Sequence, residues 1–246
     1  MEDPHISIII PYYNSANALR KNLPYLLENL KNTGWKWELI VVDDGSGDGS
    51  QISEIIGDSS IQLISYENNM GKGEALRRGF SAAGGSVQIF TDPDIPYEFE
   101  AITRIVELIG NNSADLVIGN RLLKDSVYYD RVSWIRKWGS RFISVFLGRL
   151  VTGGFYDTQC GIKGFSREAG KKIFEWSSVK RFAIDIQVIY LALKFHYKII
   201  KIPVKLRSTD GKTVKIFRDG FTMIRDIFRI KFNYMKKKRA HEKKRR

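Results

Sequence analysis

Through the first 120 residues, short β-branched runs alternate with helix-length amphipathic stretches, and each run stops at an acidic, glycine or proline signal. Residues 5–10 (His-Ile-Ser-Ile-Ile-Ile) are closed by Pro11 and read as a buried strand, because a run this short and this β-branched suits a sheet interior better than a helix. The same reading covers 37–42, 61–65, 87–91 and 116–119, with helical stretches at 16–31, 72–83 and 99–109 between them. Such alternation predicts an α/β fold whose central sheet is mostly parallel and carries helices on both faces. Beyond residue 120 the pattern predicts an amphipathic stretch at 133–150, a glycine-rich turn at 152–154, strands at 161–165 and 198–204, and helices at 182–195 and 217–235.

Charge is divided unevenly along the chain. Residues 1–120 hold 8 Lys+Arg against 17 Asp+Glu, a net −9, whereas residues 121–246 hold 32 against 10, a net +22. An acidic half suits a metal ion, and a basic half suits an anionic partner or surface. The single cysteine, Cys160, excludes an internal disulfide, a CxxC redox pair and a cysteine-rich zinc site, which points to a reducing, cytosolic setting. The opening Met1-Glu2-Asp3-Pro4 has no basic region leading into an apolar run, so no signal peptide is expected. No uncharged apolar stretch reaches the ~18 residues that a bilayer span needs, so no transmembrane helix is expected either.

In open α/β sheets, ligands bind beyond the carboxyl ends of the strands, and the acidic motifs fall there. Asp43-Asp44-Gly45-Ser46 follows the second strand. It reads either as a solvated turn or as a site where a fixed carboxylate accepts an N–H from a nucleobase or bonds a ribose hydroxyl. A calcium loop fails, because counting from Asp44 puts Ile55 where a glutamate is required. Thr91-Asp92-Pro93-Asp94 ends another strand with carboxylates spaced i, i+2, hard oxygen ligands of the kind that Mg²⁺ or Mn²⁺ takes. Asn68-Asn69-Met70-Gly71-Lys72-Gly73 lacks the spacing of a P-loop and more simply opens a helix whose N-terminal amides and Lys72 face the site.

In order, P-x-Y-N after strand one, V-V-D-D-G-S, N-x-G-K-G, T-D-x-D and G-N-R resemble family 2 of the glycosyltransferases. The segments 157–165 (Asp-Thr-Gln-Cys-Gly-Ile-Lys-Gly-Phe) and 181–185 (Arg-Phe-Ala-Ile-Asp) resemble its dolichyl-phosphate glucosyltransferase and mannose synthase branch. The resemblance implies a GT-A, Rossmann-like nucleotide-sugar fold, with a single catalytic domain at 1–235. Within it, 1–120 would form the nucleotide-sugar half, 121–216 the acceptor half and 217–235 an amphipathic C-terminal helix, followed by a basic, disordered tail at 236–246. It further implies that Pro11, Tyr13, Val42 and Asp44 hold base and ribose. Asp92 and Asp94 would hold Mg²⁺ or Mn²⁺ and the diphosphate, Lys72 would face the donor site, either Lys212 or Lys215 would reach the diphosphate, and Arg121 would meet phosphate. Ser15 stands where many relatives carry an acidic residue, and Lys212-Thr213 replaces their Ser-Lys.

The expected reaction is inverting transfer of a hexose from a nucleotide-sugar donor, UDP-glucose-like, to a polyprenyl or dolichyl phosphate at the cytoplasmic membrane face. GDP-mannose and UDP-N-acetylglucosamine are the alternative donors, and a sugar hydroxyl is the alternative acceptor. Arg121, Arg131 and Arg136 are the residues to place around an acceptor phosphate, since arginine pairs its N–H donors with phosphate oxygens. Asp94 and Arg121 would act in catalysis, and Asp185 is the first base candidate for a hydroxyl acceptor. The aromatic and aliphatic residues Phe217, Phe221, Ile224, Phe228, Phe232 and Met235 trace one apolar helix face, and residues 236–246 add eight Lys+Arg. That combination predicts peripheral docking on an anionic membrane. Nucleic acid would also suit a basic tail, but it leaves the two strand-terminal acidic pairs unexplained, so no specific nucleic-acid partner is expected.

Overall fold

The computed structural model describes residues 5–47, 61–127, 157–181, 183–207, 229–240 and 242–243. Strand β1 (Ile6–Tyr12) is buried along its whole length, so it needs cover on both faces. Its side chains supply that need alternately: Ile6, Ile8 and Ile10 enter one apolar cluster, and Ile9 enters the other. The same two-residue alternation places Leu39 and Val41 of β2 (Trp37–Asp44) on one side and Ile40 and Val42 on the other. Helix α1 (Ala16–Lys31) covers the first face through Leu19, Leu23, Leu26 and Leu30, joined by Ile102 and Ile105 of α3 (Glu100–Gly110). The second face is covered by α2 (Lys72–Ala82), α4 (Arg167–Trp176) and α5 (Ile184–Lys194).

Together with β3 (Ile61–Tyr66), β4 (Val87–Thr91), β5 (Leu116–Asn120), β6 (Ile162–Ser166) and β7 (Ile199–Pro203), these strands form one sheet in the order β3-β2-β1-β4-β6-β5-β7. Every pairing is parallel except those of β6, which runs antiparallel to both β4 and β5. The exception has a topological cause. β5 ends at the carboxyl edge of the sheet, and β6 starts from that same edge, so β6 must run back. Thr91 therefore lies opposite Ile162, and the acidic turn after β4 meets the residues that lead into β6.

Helix α4 has no counterpart in the sequence expectations. Its signal was a local one, the Ser166 hydroxyl accepting the Ala169 N–H at 3.3 Å as an N-cap, with Ala169, Ile173 and Phe174 turned inward. At the C-terminal end, residues 229–240 are helical. The expected disorder of 236–246 therefore does not hold for 236–240. Lysine and arginine are adequate helix formers, and Lys237 is tied down by donating to the Glu175 carbonyl at 2.7 Å while lying over the Trp176 ring. The expected apolar stripe is also redistributed. Ile230 is fully buried and Tyr234 packs against Trp176 and Tyr190, whereas Phe232 and Met235 are exposed on the outer side. Phe217, Phe221, Ile224 and Phe228 lie outside the described residues, as does the stretch 133–150.

Behind the site, Phe80 of α2 stacks on Phe174 with ring centroids 3.9 Å apart and meets Phe165 edge-on at 5.0 Å. Because these rings lock α2 to α4 and β6, Phe80→Ala is expected to cost about 3–5 kcal/mol of stability in chemical denaturation.

Candidate active site

Six of the seven strands end at the carboxyl edge of the sheet. The first two are clipped together: the Asn14 backbone N–H donates to Ser46 Oγ at 2.9 Å, and Gly47 N–H donates to Asn14 Oδ1 at 3.0 Å. Asn14 reaches this geometry at φ 46°, a left-handed conformation that asparagine tolerates. Tyr13 is left exposed beside the clip, available to stack on a flat ligand. Pro11 and Val42, by contrast, are buried, Val42 completely, so their contribution is to shape the strand ends from within the core.

Asp44 has a different setting from the one its motif implied. Its carboxylate accepts from Tyr66 Oη at 2.7 Å, Asn69 Nδ2 at 3.0 Å, the Met70 amide at 2.7 Å and the Gly71 amide at 2.7 Å. Both oxygens thus hold the loop that enters α2. Burial, reinforced by this carboxylate, pushes the Tyr66 hydroxyl pKa far above the ordinary tyrosine value, so it stays a donor. Among the described residues, Asp43 accepts one hydrogen bond, from Ser46 N–H at 3.0 Å.

Amides at the start of α2 are engaged within the protein as well. Met70 and Gly71 amides go to Asp44, and Gly73 N–H donates to the Lys180 carbonyl at 2.8 Å. A side-chain carbon at Gly71 or Gly73 would stand 2.3 Å from Lys180 O or 2.1 Å from Val179 O, so glycine is what lets the 177–181 segment press onto the helix. The expectation of free N-terminal amides therefore does not hold for Met70, Gly71 and Gly73, and the Lys72 side chain reaches toward the acidic turn.

That turn is tightly made. Ile95 N–H closes onto the Asp92 carbonyl at 2.9 Å while Ile95 itself sits at φ 41°, costly for a β-branched residue. Burial of the Ile95 side chain and a clamp from Arg207 hold it there. Arg207 stacks on Tyr25 of α1 at 4.1 Å, bonds the Asn22 side chain, and donates to the Ile95 carbonyl at 3.3 Å. Asp92 and Asp94 are both partly exposed, and Gly161 makes room for the first, since a carbon added there would stand 2.1 Å from Asp92 Oδ2.

Behind Asp92 runs a row of alternating charges. Lys72 Nζ lies 2.9 Å from Asp92 Oδ1 and 3.4 Å from Asp185 Oδ2, and Lys163 Nζ lies 2.5 Å from Asp185 Oδ1 and 2.9 Å from the Cys160 carbonyl oxygen. Both ammonium groups stand 5.2 Å from the centroid of the Phe90 ring. Burial disfavours the Lys72 charge, but Asp185 and Asp92 outweigh it and hold the ammonium pKa above the ordinary lysine value. Burial likewise opposes the Asp185 charge, and Lys163 and Lys72 reverse that, keeping its carboxyl below the usual aspartate range. Lys163 is fully buried and was not singled out in the sequence, although a lysine inside the apolar run 162–165 was the available signal. Cys160 is inert packing, its thiol pushed up to about 11 by burial and then by Asp157.

Arg121 follows β5 and is gripped by Asp157, which accepts its backbone N–H at 2.6 Å and its guanidinium through Nη2 at 2.5 Å and Nε at 3.1 Å. This fork fixes the guanidinium at the rim, where the side chain keeps 31% of its exposure. Arg131, Arg136 and Lys212 lie outside the described residues. Among the described residues no group of three or more His, Cys, Asp or Glu side chains converges as a metal cage. Two hard carboxylates at one turn still fit Mg²⁺ or Mn²⁺, ions that complete their shells with phosphate oxygens and water.

The family model of glycosyl transferase family 2 matches residues 7–174. A dolichyl-phosphate beta-glucosyltransferase of Dictyostelium discoideum is 30% identical over 96% of this chain and 76% of that protein. The Homo sapiens dolichyl-phosphate beta-glucosyltransferase is 28% identical over 94% of this chain and 76% of its own length. In fold, the chain is similar to glucosyl-3-phosphoglycerate synthase of Mycobacterium tuberculosis, solved with Mn²⁺, uridine diphosphate and glucosyl-3-phosphoglycerate. That similarity has a TM-score of 0.68 at 18% identity, covering 94% of this chain and 80% of the other. That likeness shows a GT-A fold.

The bonding of Asp44 generates a test. Asp44→Ala strands several donors at once and is expected to destabilise the protein by about 3 kcal/mol or more in chemical denaturation, with faster amide exchange across 66–73. An unchanged denaturation midpoint would contradict the loop-holding role.

Proposed function

Because the chain belongs to glycosyltransferase family 2, we propose that it transfers a hexose, with inversion, from a nucleotide-sugar to a polyprenyl or dolichyl phosphate. The beta-glucosyltransferase names of its relatives favour glucose, and a UDP-glucose-like donor is the reading we adopt. Residues 1–235 then act as one catalytic domain. Tyr13, Asp43 and the buried strand ends at Pro11 and Val42 form the base and ribose wall, and Lys72, Asp92 and Asp94 face the diphosphate. Asp92 and Asp94 would hold Mg²⁺ or Mn²⁺, which neutralises charge on the departing nucleoside diphosphate. Arg121, held by Asp157, presents its guanidinium to phosphate, with Arg131, Arg136 and Lys212 as further cations.

The observation that carries the choice of acceptor is the state of Asp185. A carboxylate held below the usual aspartate range between two lysines is a poor proton acceptor, so it does not suit the base that a hydroxyl acceptor requires. A phosphate monoester, with a second pKa near ~6, needs none. Asp185 instead positions Lys72.

Membrane attachment is part of the same reading. No helix among the described residues is long and apolar enough to cross a membrane. The 229–240 helix shows outward Phe232 and Met235 among exposed Lys231, Lys236, Lys238 and Arg239. Such a face suits the interface of an anionic leaflet, each cation contributing about 1 kcal/mol, and it supports a peripheral location on the cytoplasmic side.

In a thermal-shift panel, UDP-glucose with Mn²⁺ is expected to stabilise the protein more than GDP-mannose or UDP-N-acetylglucosamine, and a reversed order would change the donor. Asp94→Asn should lower transfer by about two orders of magnitude or more with the fold intact. Near-normal turnover at saturating Mn²⁺ would remove Asp94 from the metal seat. The double change Phe232→Ser and Met235→Ser should leave the denaturation midpoint in place and reduce sedimentation with phosphatidylserine liposomes. Equal sedimentation at low salt would refute docking by this face.

A further inference from the structure

The Lys72 ammonium occupies the ground that a divalent ion at Asp92 would claim. It stands 2.9 Å from Asp92 Oδ1, and its other neighbour, Asp185 Oδ2, lies at 3.4 Å, so a short swing of one side chain exchanges one carboxylate for the other. The row of Asp92, Lys72, Asp185 and Lys163 sums to zero charge as it stands. Lys163 is fully buried and cannot leave Asp185, whereas Lys72 keeps 14% of its side-chain exposure and sits at the mouth. Asp92 is the most exposed member, at 35%. The more exposed of the two cations in this row is thus the one next to the metal seat.

We propose that Lys72 is a resident competitor for the divalent ion. It neutralises Asp92 until donor and metal arrive together, and it then gives up Asp92 to the metal and turns to the diphosphate, with Asp185 retaining its base of support. This rests on the metal and donor reading above. Its consequence is thermodynamic coupling. Metal alone must evict an ammonium that has only Asp185 to fall back on. Metal with a nucleoside diphosphate evicts an ammonium that gains new oxygens in exchange. By linkage, the diphosphate and the metal then tighten each other's binding by the same factor.

The test is Mn²⁺ binding, read by the electron paramagnetic resonance signal of free Mn²⁺, with and without UDP and with no acceptor or turnover. Lys72→Gln and Lys72→Met both remove the charge and leave the Lys163–Asp185 pair whole, and Lys72→Arg keeps the charge. Relative to the natural protein, the two neutral variants are expected to bind Mn²⁺ alone about tenfold more tightly, since a unit charge a few ångströms away acts appreciably even in water. In these variants UDP should tighten Mn²⁺ by a smaller factor than in the natural protein, and Lys72→Arg should resemble the natural protein in both respects. Neutral variants that bind Mn²⁺ alone no better than the natural protein would overturn the proposal, as would an undiminished effect of UDP. If no form binds Mn²⁺ even with UDP, the metal and donor reading itself fails and the proposal falls with it.

Discussion

A lysine with no solvent exposure sits in the middle of this sheet, and much of the site is built around keeping it charged. Lys163 belongs to β6, between β4 and β5, and its ammonium has Asp185 at 2.5 Å and the Cys160 carbonyl at 2.9 Å. Removing one partner of such a pair leaves an uncompensated buried charge, which typically costs several kcal/mol. Asp185 therefore has to be presented at this depth by the first turn of α5. The segment before α5 has to reach back over α2, and the Gly73 amide bonds Lys180 there. The same carboxylate reaches Lys72, so the core and the acidic turn share one electrostatic network.

The fold was largely legible in the sequence, because alternating β-branched runs and amphipathic stretches leave few other ways to bury both faces of a sheet. Strands at 87–91 and 198–204 and helices at 16–31 and 72–83 lie within a residue or two of those observed. The reversal of β6 was not legible, since nothing in Ile-Lys-Gly-Phe states its direction. Direction followed from where the preceding connection ended. Helix α4 was passed over because its apolar contribution is confined to Ala169, Ile173 and Phe174 in an otherwise polar stretch.

For the site, sequence placed the acidic pairs at the right strand ends but assigned neighbouring carboxylates by motif. Asp43 and Asp44 are adjacent, and only the fold shows that Tyr66, Asn69, Met70 and Gly71 converge on the second. Asp157 and Asp185 are tied into the architecture by ion pairs with Arg121 and Lys163, partners that only the fold brings to them. Arg207 had no signal at all. Its contacts with Asn22 and Ile95 span 185 and 112 residues of sequence, a relation that no local pattern encodes.

The place of β6 in the sheet also bears on how the chain comes to be folded during synthesis. β4 is complete at Thr91 and β5 at Asn120, yet the strand that pairs with both spans Ile162–Ser166. A nascent chain that has emerged only as far as β5 holds two hydrogen-bonding edges with nothing between them, an arrangement prone to mispairing with other chains. The acidic and basic halves of this sequence are thus joined through one sheet, with β6 of the second half pairing β4 and β5 of the first. A gene fragment ending after β5 would encode exposed sheet edges instead of an autonomous nucleotide-binding module.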